Sequence, residues 1–525
     1  MVSSAVALAP EIWDNICSRL TPPTLANLRL TCKTLSTIAL PWKFKTITLE
    51  AFLDLSIEYF IDVAKTPSLR TLVREVIIDT RVGLEWEYHC NEEYPFPVAF
   101  MNALPYLRYF TNSIVGILRT MSDVILMRRT SCGTKYKVLD TIFHCATGMW
   151  TLEKQLKIDE VFFAERMFGD EDAEKCDYSD QDPKFTGACF PLRELTIANL
   201  ADYSDCRFEE SEAWKTLMAL PSLVDLKLFI TTEEDEAAPE NSVYLTEKYD
   251  FFHSLPSTWL CPDMTQRLRV LSLYFKDYWG WFPVMDFRNY GEEYPFPQLK
   301  VFALGNFTFS HEWQIEWFSK LGSKNRSGGL EELYLDDCPI LHHAIQNDVC
   351  EGGYPDTAVI SSQRDYNPTE HHFSIRWHGV LSHWKDSMKG LKVFRMGHGS
   401  WWGPQSETYT TITDDPDYAD LDKDVLQYRL SHKVHRSFAY PAADKNATDK
   451  DPRKPERWRH GEGLDNRRQT RLTYIDYDIG IGPSPWLETD KSRWAKQEDI
   501  EPEEGTAKKD DAAWDAMMAA IEARG

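Results

Sequence analysis

The chain repeats a short apolar pattern, L-x-x-L-x-L, at nearly regular intervals. The central apolar residues of its clear copies are Leu195, Leu226, Leu271, Phe302, Leu333 and Phe394. The successive steps between them are 31, 45, 31, 31 and 61 residues, and a step near 30, or about twice that, is typical of a repeated supersecondary unit. An earlier copy is centred on Val76, and Leu104-x-x-Leu107 is a weaker one. The pattern therefore predicts a fold built from similar units in chain order.

Between these strand-like copies, residues 212–220, 313–321 and 377–388 have the apolar spacing of helices. A helix, a turn and a short strand repeated in this order build a parallel sheet with helices on one face. Acidic stretches at 165–182 and 231–240 are interpreted as solvated loops inserted between units, which explains the uneven steps. We expect an α/β chain in which parallel strands and outer helices form an irregular solenoid.

One copy, Leu330-x-x-Leu333-x-Leu335-x-x-Cys338-x-x-Leu341, resembles the cysteine-containing type of leucine-rich repeat. The other copies are degenerate versions of that motif. The resemblance implies a leucine-rich-repeat-like array over residues 50–400. The alternative left open is a mixed α/β domain in which the motif matches arise by chance.

The first 45 residues follow a different pattern. Ile12, Ile16 and Leu20 form one apolar helical stripe, and two more short helical patterns follow it. Three helices in so few residues cannot bury all their apolar faces against one another. Either the rest of the chain or an outside partner must cover them.

Leu8-Ala9-Pro10-Glu11-Ile12, followed by Leu25, Leu28-Arg29-Leu30 and Cys32-Lys33, resembles an F-box, here spanning residues 5–49. Ala9 departs from the family pattern, in which leucine and proline are adjacent. The resemblance implies a three-helix module that docks on the Skp-type adaptor of a cullin–RING ubiquitin ligase, while the rest of the chain binds a client protein. The residues it implies for adaptor binding are Leu8, Pro10, Ile12, Ile16, Leu20, Leu25, Leu28 and Leu30.

The net charge of the chain limits the classes of partner that it can bind. The chain has 58 Lys and Arg against 82 Asp and Glu, a formal net charge of −24, which repels nucleic acid and anionic membranes. Residues 1–45 differ from this trend, because they contain five basic side chains and only two acidic ones, Glu11 and Asp14. Such a segment suits an acidic protein partner.

The chain shows neither a membrane-spanning apolar run nor a cationic signal sequence, and its cysteines are scattered. We therefore expect reduced thiols and a cytoplasmic or nuclear location. Beyond residue 400 the repeat disappears. Residues 401–495 are expected to form an irregular extension with a strand at 472–479, and residues 496–525 an acidic linker ending in a helix from about residue 512.

Sequence motifs for catalysis are absent, and we expect neither an enzyme nor a bound cofactor. The histidine pairs His342-His343 and His371-His372, with His378 and His383, lack the spacing of a zinc motif, so no metal site is predicted. Two other function classes stay open: an interaction scaffold that binds the adaptor without promoting ubiquitination, and a hydrolase-type enzyme in the C-terminal half.

Client binding is assigned to aromatic loops that follow two of the predicted strands. The residues are Tyr278, Trp279, Trp281, Trp401 and Trp402. Exposed aromatic side chains gathered at one rim are typical of binding hot spots. The alternative is that these rings cap the hydrophobic core. Polar positions beside the strand leucines, including Glu194, Thr196, Asp225, Lys227, Tyr334 and Arg395, are expected to face outward on the sheet.

Overall fold

A computed structural model of the chain describes residues 8–80, 97–111, 115–119, 131–165, 175–231, 246–290, 295–346, 353–355, 369–399, 464–465, 472–478 and 500–524. Within these ranges the α-helices are α1 (Pro10–Cys17), α2 (Pro22–Arg29), α3 (Lys33–Lys43), α4 (Asp54–Lys65), α5 (Pro67–Arg70), α6 (Val98–Ala103), α7 (Ser131–Ala146), α8 (Leu152–Glu165), α9 (Cys206–Glu209), α10 (Glu212–Met218), α11 (Thr246–Ser254), α12 (Pro262–Arg267), α13 (Glu312–Ser319), α14 (Trp377–Ser387) and α15 (Thr506–Glu522).

The described strands are β1 (Thr46–Glu50), β2 (Glu75–Asp79), β3 (Val115–Arg119), β4 (Glu194–Ala201), β5 (Asp225–Thr231), β6 (Val270–Trp279), β7 (Val301–Phe307), β8 (Glu332–Asp336), β9 (Ile340–Gln346), β10 (Thr369–His372), β11 (Val393–Gly399), β12 (Leu464–Asp465) and β13 (Tyr474–Asp478). Ten of them form one sheet in the order β1 to β8, then β11 and β12. All neighbours in it are parallel except β11 and β12. The predicted α/β class with mainly parallel strands is confirmed, and the described sheet does not close into a barrel.

The register of this sheet places the sequence repeat in a single row. Leu195 pairs with Leu226, Leu226 with Leu271, and Leu271 with Phe302. The row continues through Leu333 to Phe394. All six side chains are buried in one core, so the repeated apolar position is the position at which the strands align.

Helices cover the side of the sheet that these leucines face. The predicted helical stripes are confirmed by α13 and α14, in which Trp317, Trp377 and Trp384 are at most 3% exposed. Trp384 donates its indole N–H to the carbonyl oxygen of Ile315 at 3.1 Å, which joins the two helices. The weak repeat at 104–107 is not a strand, because Leu104–Tyr109 forms a 3₁₀ helix.

Arg108, on that 3₁₀ helix, is fully buried. Its guanidinium donates to the carbonyl oxygens of Pro105, Phe185 and Asp182 and to Oε1 of Gln181, and it lies 4.2 Å from the Trp150 ring centroid. A buried guanidinium needs such partners because losing its hydration is costly. The end of the predicted acidic loop is therefore fixed through its backbone and Gln181, while Asp177, Asp180 and Asp182 are exposed as expected.

A second sheet holds the strand predicted near residue 472. Its order is β10-β9-β13, with β10 antiparallel and β13 parallel to β9. The predicted C-terminal helix is confirmed as α15, although it begins six residues earlier than the apolar pattern suggested. Its Trp514 packs on Phe394 of β11, with ring centroids 5.5 Å apart.

Asp510 anchors α15 to the smaller sheet and to α14. One carboxylate oxygen accepts the Tyr474 hydroxyl at 2.7 Å, and the other accepts the backbone N–H of His378 and its Nδ1, each at 2.8 Å. Burial and the neighbouring carboxylate raise the pKa of Tyr474, so its hydroxyl remains a donor. Within the described residues, no helix combines the length and the apolar character needed to cross a membrane.

We predict that Asp510→Ala loosens the contact between α15 and α14. The substitution removes a buried acceptor of three hydrogen bonds and should lower the free energy of unfolding by roughly 3 kcal/mol. Hydrogen exchange should show faster exchange of the α15 amides, and chemical denaturation should report the loss of stability. Asp515→Ala, on an exposed position of the same helix, serves as the control. Equal behaviour of the two variants would contradict the anchoring role.

Candidate functional site

The predicted docking residues of the N-terminal helices divide by exposure. Leu8, Ile12 and Leu30 are 41%, 49% and 85% exposed. Ile16, Leu20 and Leu28 are half-buried, and Leu25 is buried. For Pro10 the structure describes the backbone, in the first turn of α1, and not the side chain. The exposed and half-buried members all belong to this helical unit, and together we name them the N-terminal apolar surface.

A small separate core supports this surface. Cys17, Leu25 and Ala39 bury against one another, one from each of α1, α2 and α3. Trp42 of α3 donates its indole N–H to Asp14 of α1 at 2.7 Å. Leu25 thus stabilises the helices from inside, and Leu20 and Leu28 pack against the same core while staying half-buried.

The sequence also explains how α2 begins. Thr21 caps the helix, because its hydroxyl accepts the Thr24 backbone N–H at 3.4 Å. Pro22 and Pro23 then occupy the first turn, where the backbone N–H has no helical partner to lose.

The cations of this region serve two roles. Arg29 lies over the Phe44 ring, Lys43 over Tyr59 and Lys45 over Trp42, at 5.3, 5.8 and 5.3 Å from the ring centroids. These contacts hold the helices against β1 and α4. Burial, with the nearby Arg29 charge, lowers the pKa of Lys43. Arg19 and Lys33 are exposed, so they carry the positive charge that faces the solvent.

The aromatic segment predicted to bind a client is buried. Tyr278, Trp279 and Trp281 are 8%, 0% and 1% exposed, so the prediction of an exposed hot spot is wrong for these three residues. Trp279 donates its indole N–H to the Gly305 carbonyl oxygen at 2.7 Å, and Trp281 to that of Gly353 at 3.1 Å. Trp401 and Trp402 lie outside the described residues.

Gly280 explains why this segment turns inward. Its φ of +102° is open to glycine, and a Cβ at this position would lie 2.5 Å from Phe307. The flanking tryptophans therefore enter different clusters, Trp279 the main core and Trp281 a smaller one with Leu341 and Tyr477. Capping of the core, the alternative reading of these rings, is what the structure supports.

The polar face of the sheet is also less exposed than predicted. Thr196, Lys227 and Tyr334 are at most 4% exposed, whereas Arg395 is exposed and Glu194 and Asp225 lie between. Neighbouring strands lie only about 4.8 Å apart, so long side chains on this face shield one another. The Tyr334 hydroxyl, for example, donates to Glu332 at 2.7 Å on the same strand.

Lys227 is the buried charge at the centre of this face. Its ammonium lies 2.5 Å from a Glu194 oxygen and 2.8 Å from an Asp225 oxygen, and these two acids are directly opposite each other on β4 and β5. Burial, with the nearby Lys227 and Glu194 charges acting in opposite senses, raises the pKa of Asp225 to about 6. The two carboxylates raise the pKa of Lys227 despite its burial, so the lysine stays charged.

The histidines separate into distinct environments. His378 binds Asp510, and His383 lies 3.1 Å from Glu316. His343 and His372, which are 29 positions apart in the sequence, are brought together by strand pairing, with Glu370 beside them. No local spacing signals this cluster, because only the register of β9 and β10 creates it.

No protein-family model matches this chain, and no curated protein matches it either.

We predict that Lys227→Met destabilises the fold by roughly 3–5 kcal/mol at pH 8, because two partly buried carboxylates then lose their shared, buried cation. When the pKa of a group is higher in the folded state than in the unfolded state, the free energy of unfolding falls as the pH rises from the lower pKa value to the higher one. For Asp225 this pH range runs from about 4 to about 6. Without the lysine charge, the folded-state pKa of Asp225 rises further and the range reaches a higher pH. Chemical denaturation should therefore show a smaller loss at pH 5 than at pH 8.

Glu194→Gln provides the matched comparison, since it leaves Lys227 with one carboxylate and removes one buried charge. At pH 8 this substitution should lower the free energy of unfolding much less than Lys227→Met does. A Lys227→Met effect that does not depend on pH would contradict the electrostatic account.

Proposed function

We propose that this chain is the substrate-recognition subunit of a cullin–RING ubiquitin ligase. In this proposal residues 5–49 act as an F-box that docks on a Skp-type adaptor, and the following region, an irregular leucine-rich-repeat-like solenoid, holds a client protein. The observation that carries the proposal is the N-terminal apolar surface, where Leu8, Ile12 and Leu30 face the solvent on a three-helix unit with its own small core.

Several features support an outside partner for this surface. Large apolar side chains exposed on one small helical unit favour burial by a partner. Phe44 and Lys43, where α3 ends, pack on Tyr59 of α4 and join the helical unit to the rest of the chain, whereas Leu8, Ile12 and Leu30 remain exposed. Arg19 and Lys33 are exposed, as are Glu11 and Asp14, and the segment 1–45 has five basic against two acidic side chains, an excess that favours an acidic partner and speeds association.

The sheet supports the second half of the proposal. Eight successive strands pair in chain order, and the apolar motif recurs in register along them with helices on one side. This arrangement suits an extended recognition array rather than a single catalytic pocket. The mechanism would be proximity: the adaptor and the client are held on one chain, and the transferase of the ligase acts across the gap. Such a complex would operate in the cytoplasm or nucleus.

Affinity purification of the full chain, followed by mass spectrometry, tests the function. We expect a Skp-type adaptor, a cullin and at least one ubiquitinated client that accumulates when the chain is removed. Recovery of the adaptor without cullin or ubiquitinated client would instead support a scaffold that does not promote degradation. Absence of the adaptor would contradict the proposal.

The docking surface makes a sharper prediction. The double substitution Ile12→Ala and Leu30→Ala should weaken binding to a purified Skp-type adaptor at least tenfold, because each large apolar side chain buried at an interface contributes roughly 1.5–3 kcal/mol. Isothermal titration or surface plasmon resonance would measure the change. Both residues are exposed, so the fold should tolerate the substitutions.

Leu55→Ala is the matched control, since Leu55 is 73% exposed but lies on α4, outside the N-terminal helices. It should bind the adaptor as tightly as the unmodified chain. Unchanged binding by the double variant, or an equal loss with Leu55→Ala, would contradict the assignment of this surface.

A further inference from the structure

Strand pairing in the smaller sheet places three metal-ligating side chains on one face. In the antiparallel register of β9 and β10, His343 and His372 are directly opposite each other. Glu370 precedes His372 by two residues on β10, so strand alternation puts it on the same face. Side chains of directly opposed residues begin about 4.5–5.5 Å apart at their Cβ atoms, a separation that two imidazoles binding one ion can span.

The distances fit a shared ligand. The imidazole rings of His343 and His372 have centroids 4.8 Å apart. Nε2 of His343 lies 3.8 Å from a carboxylate oxygen of Glu370. One ligand atom from each of the three residues falls within 4.8 Å of the other two. Three donors thus converge on a volume of the size of one ion.

We propose that His343, Glu370 and His372 bind a divalent transition-metal ion, with Zn²⁺ as the expected occupant. Two imidazoles and one carboxylate are a donor set suited to zinc, whereas calcium and magnesium prefer sites made entirely of oxygen atoms. The exposed side of the cluster leaves the fourth position to a water molecule. This proposal is independent of the proposed ubiquitin-ligase role.

The strands provide both the rigidity and the freedom that binding requires. His343 lies on the central strand of the sheet, where β10 and β13 flank its backbone on both sides. Glu370 and His372 are exposed on β10, so their side chains can rotate toward the ion. Ligand atoms of a tetrahedral zinc ion lie about 3.4 Å apart, given bonds near 2.0–2.1 Å, so a small side-chain adjustment closes the site.

Bound metal would cross-link β9 to β10. The chain joins these strands through residues 347–368, so the ion would hold the two ends of that segment together. An ion that binds only the folded chain raises its stability in proportion to the logarithm of the ion concentration. We therefore expect zinc to stabilise the chain thermally, and magnesium to have no such effect.

A neighbouring histidine supplies a matched control. His371 alternates to the opposite face of β10, whereas His342 lies at a register shift between β9 and β13 and its ring centroid is 6.2 Å from that of His372. His342 lies 3.4 Å from Asp476, and His371 is within 3.2 Å of the Thr369 hydroxyl. Replacing His371 changes the number of histidines on β10 without touching the three proposed ligands.

The experiment is a titration of the metal-free full chain with ZnCl₂ by isothermal calorimetry, repeated with MgCl₂. We expect one zinc site that His343→Ala and His372→Ala each weaken at least tenfold, and that Glu370→Gln weakens less. His371→Ala should bind zinc like the unmodified chain. With CoCl₂, the visible absorption of a four-coordinate ion should appear and should be lost in His372→Ala.

The metal-free variants separate binding from folding. Since His372 and Glu370 are exposed, their metal-free variants should melt at the same temperature as the metal-free unmodified chain, and only the zinc-induced rise in melting temperature should disappear. Zinc binding that His343→Ala and His372→Ala leave unchanged, or the absence of zinc binding, would overturn the proposal.

Discussion

Parallel hydrogen bonding between successive strands is the constraint on which this structure depends. Each strand is fixed in register by its neighbour, so residues such as Leu226, Leu271 and Phe302 must stand in one row. That row faces the helices and supplies a continuous apolar core along the sheet. The same register also sets the opposite face, where it brings Glu194 and Asp225 together and leaves Lys227 to neutralise them. One backbone geometry thus determines both the core and its buried charges.

The repeat made β2, β4 to β8 and β11 of the main sheet predictable from sequence, because a period near 31 residues indicates both the strand and the residue that aligns. Strands β1, β3 and β12 carry no copy of the motif and were not predicted. Helices α13 and α14 were predictable for a similar reason, since their tryptophans recur at helical spacing. The packing of the aromatic segment was not predictable from the sequence. The repeat pattern ends at Gly280, and Trp279 and Trp281 on either side of it pack into two different clusters. The histidine cluster was hidden as well, because a cross-strand pair has no local signature.

At the N-terminus, sequence reasoning identified the helices and their apolar stripes but left open which side chains face inward. The structure divides them, with Leu25 inside and Ile12 and Leu30 outside. That division could not be read from spacing, because in such short helices most apolar positions lie near the boundary between core and surface. The exposure of Ile12 and Leu30 is also what makes this surface suited to a partner.

Strand order that follows chain order has a consequence for how such a molecule can change over evolution. The steps between aligned residues differ, yet the extra residues leave the pairing of β5 with β6 and of β8 with β11 in register. Lengthening a connection costs little entropy, since the cost of loop closure rises only with the logarithm of its length. Insertions can therefore accumulate between strands while the ladder is conserved, and the chain can acquire new surface without acquiring a new fold.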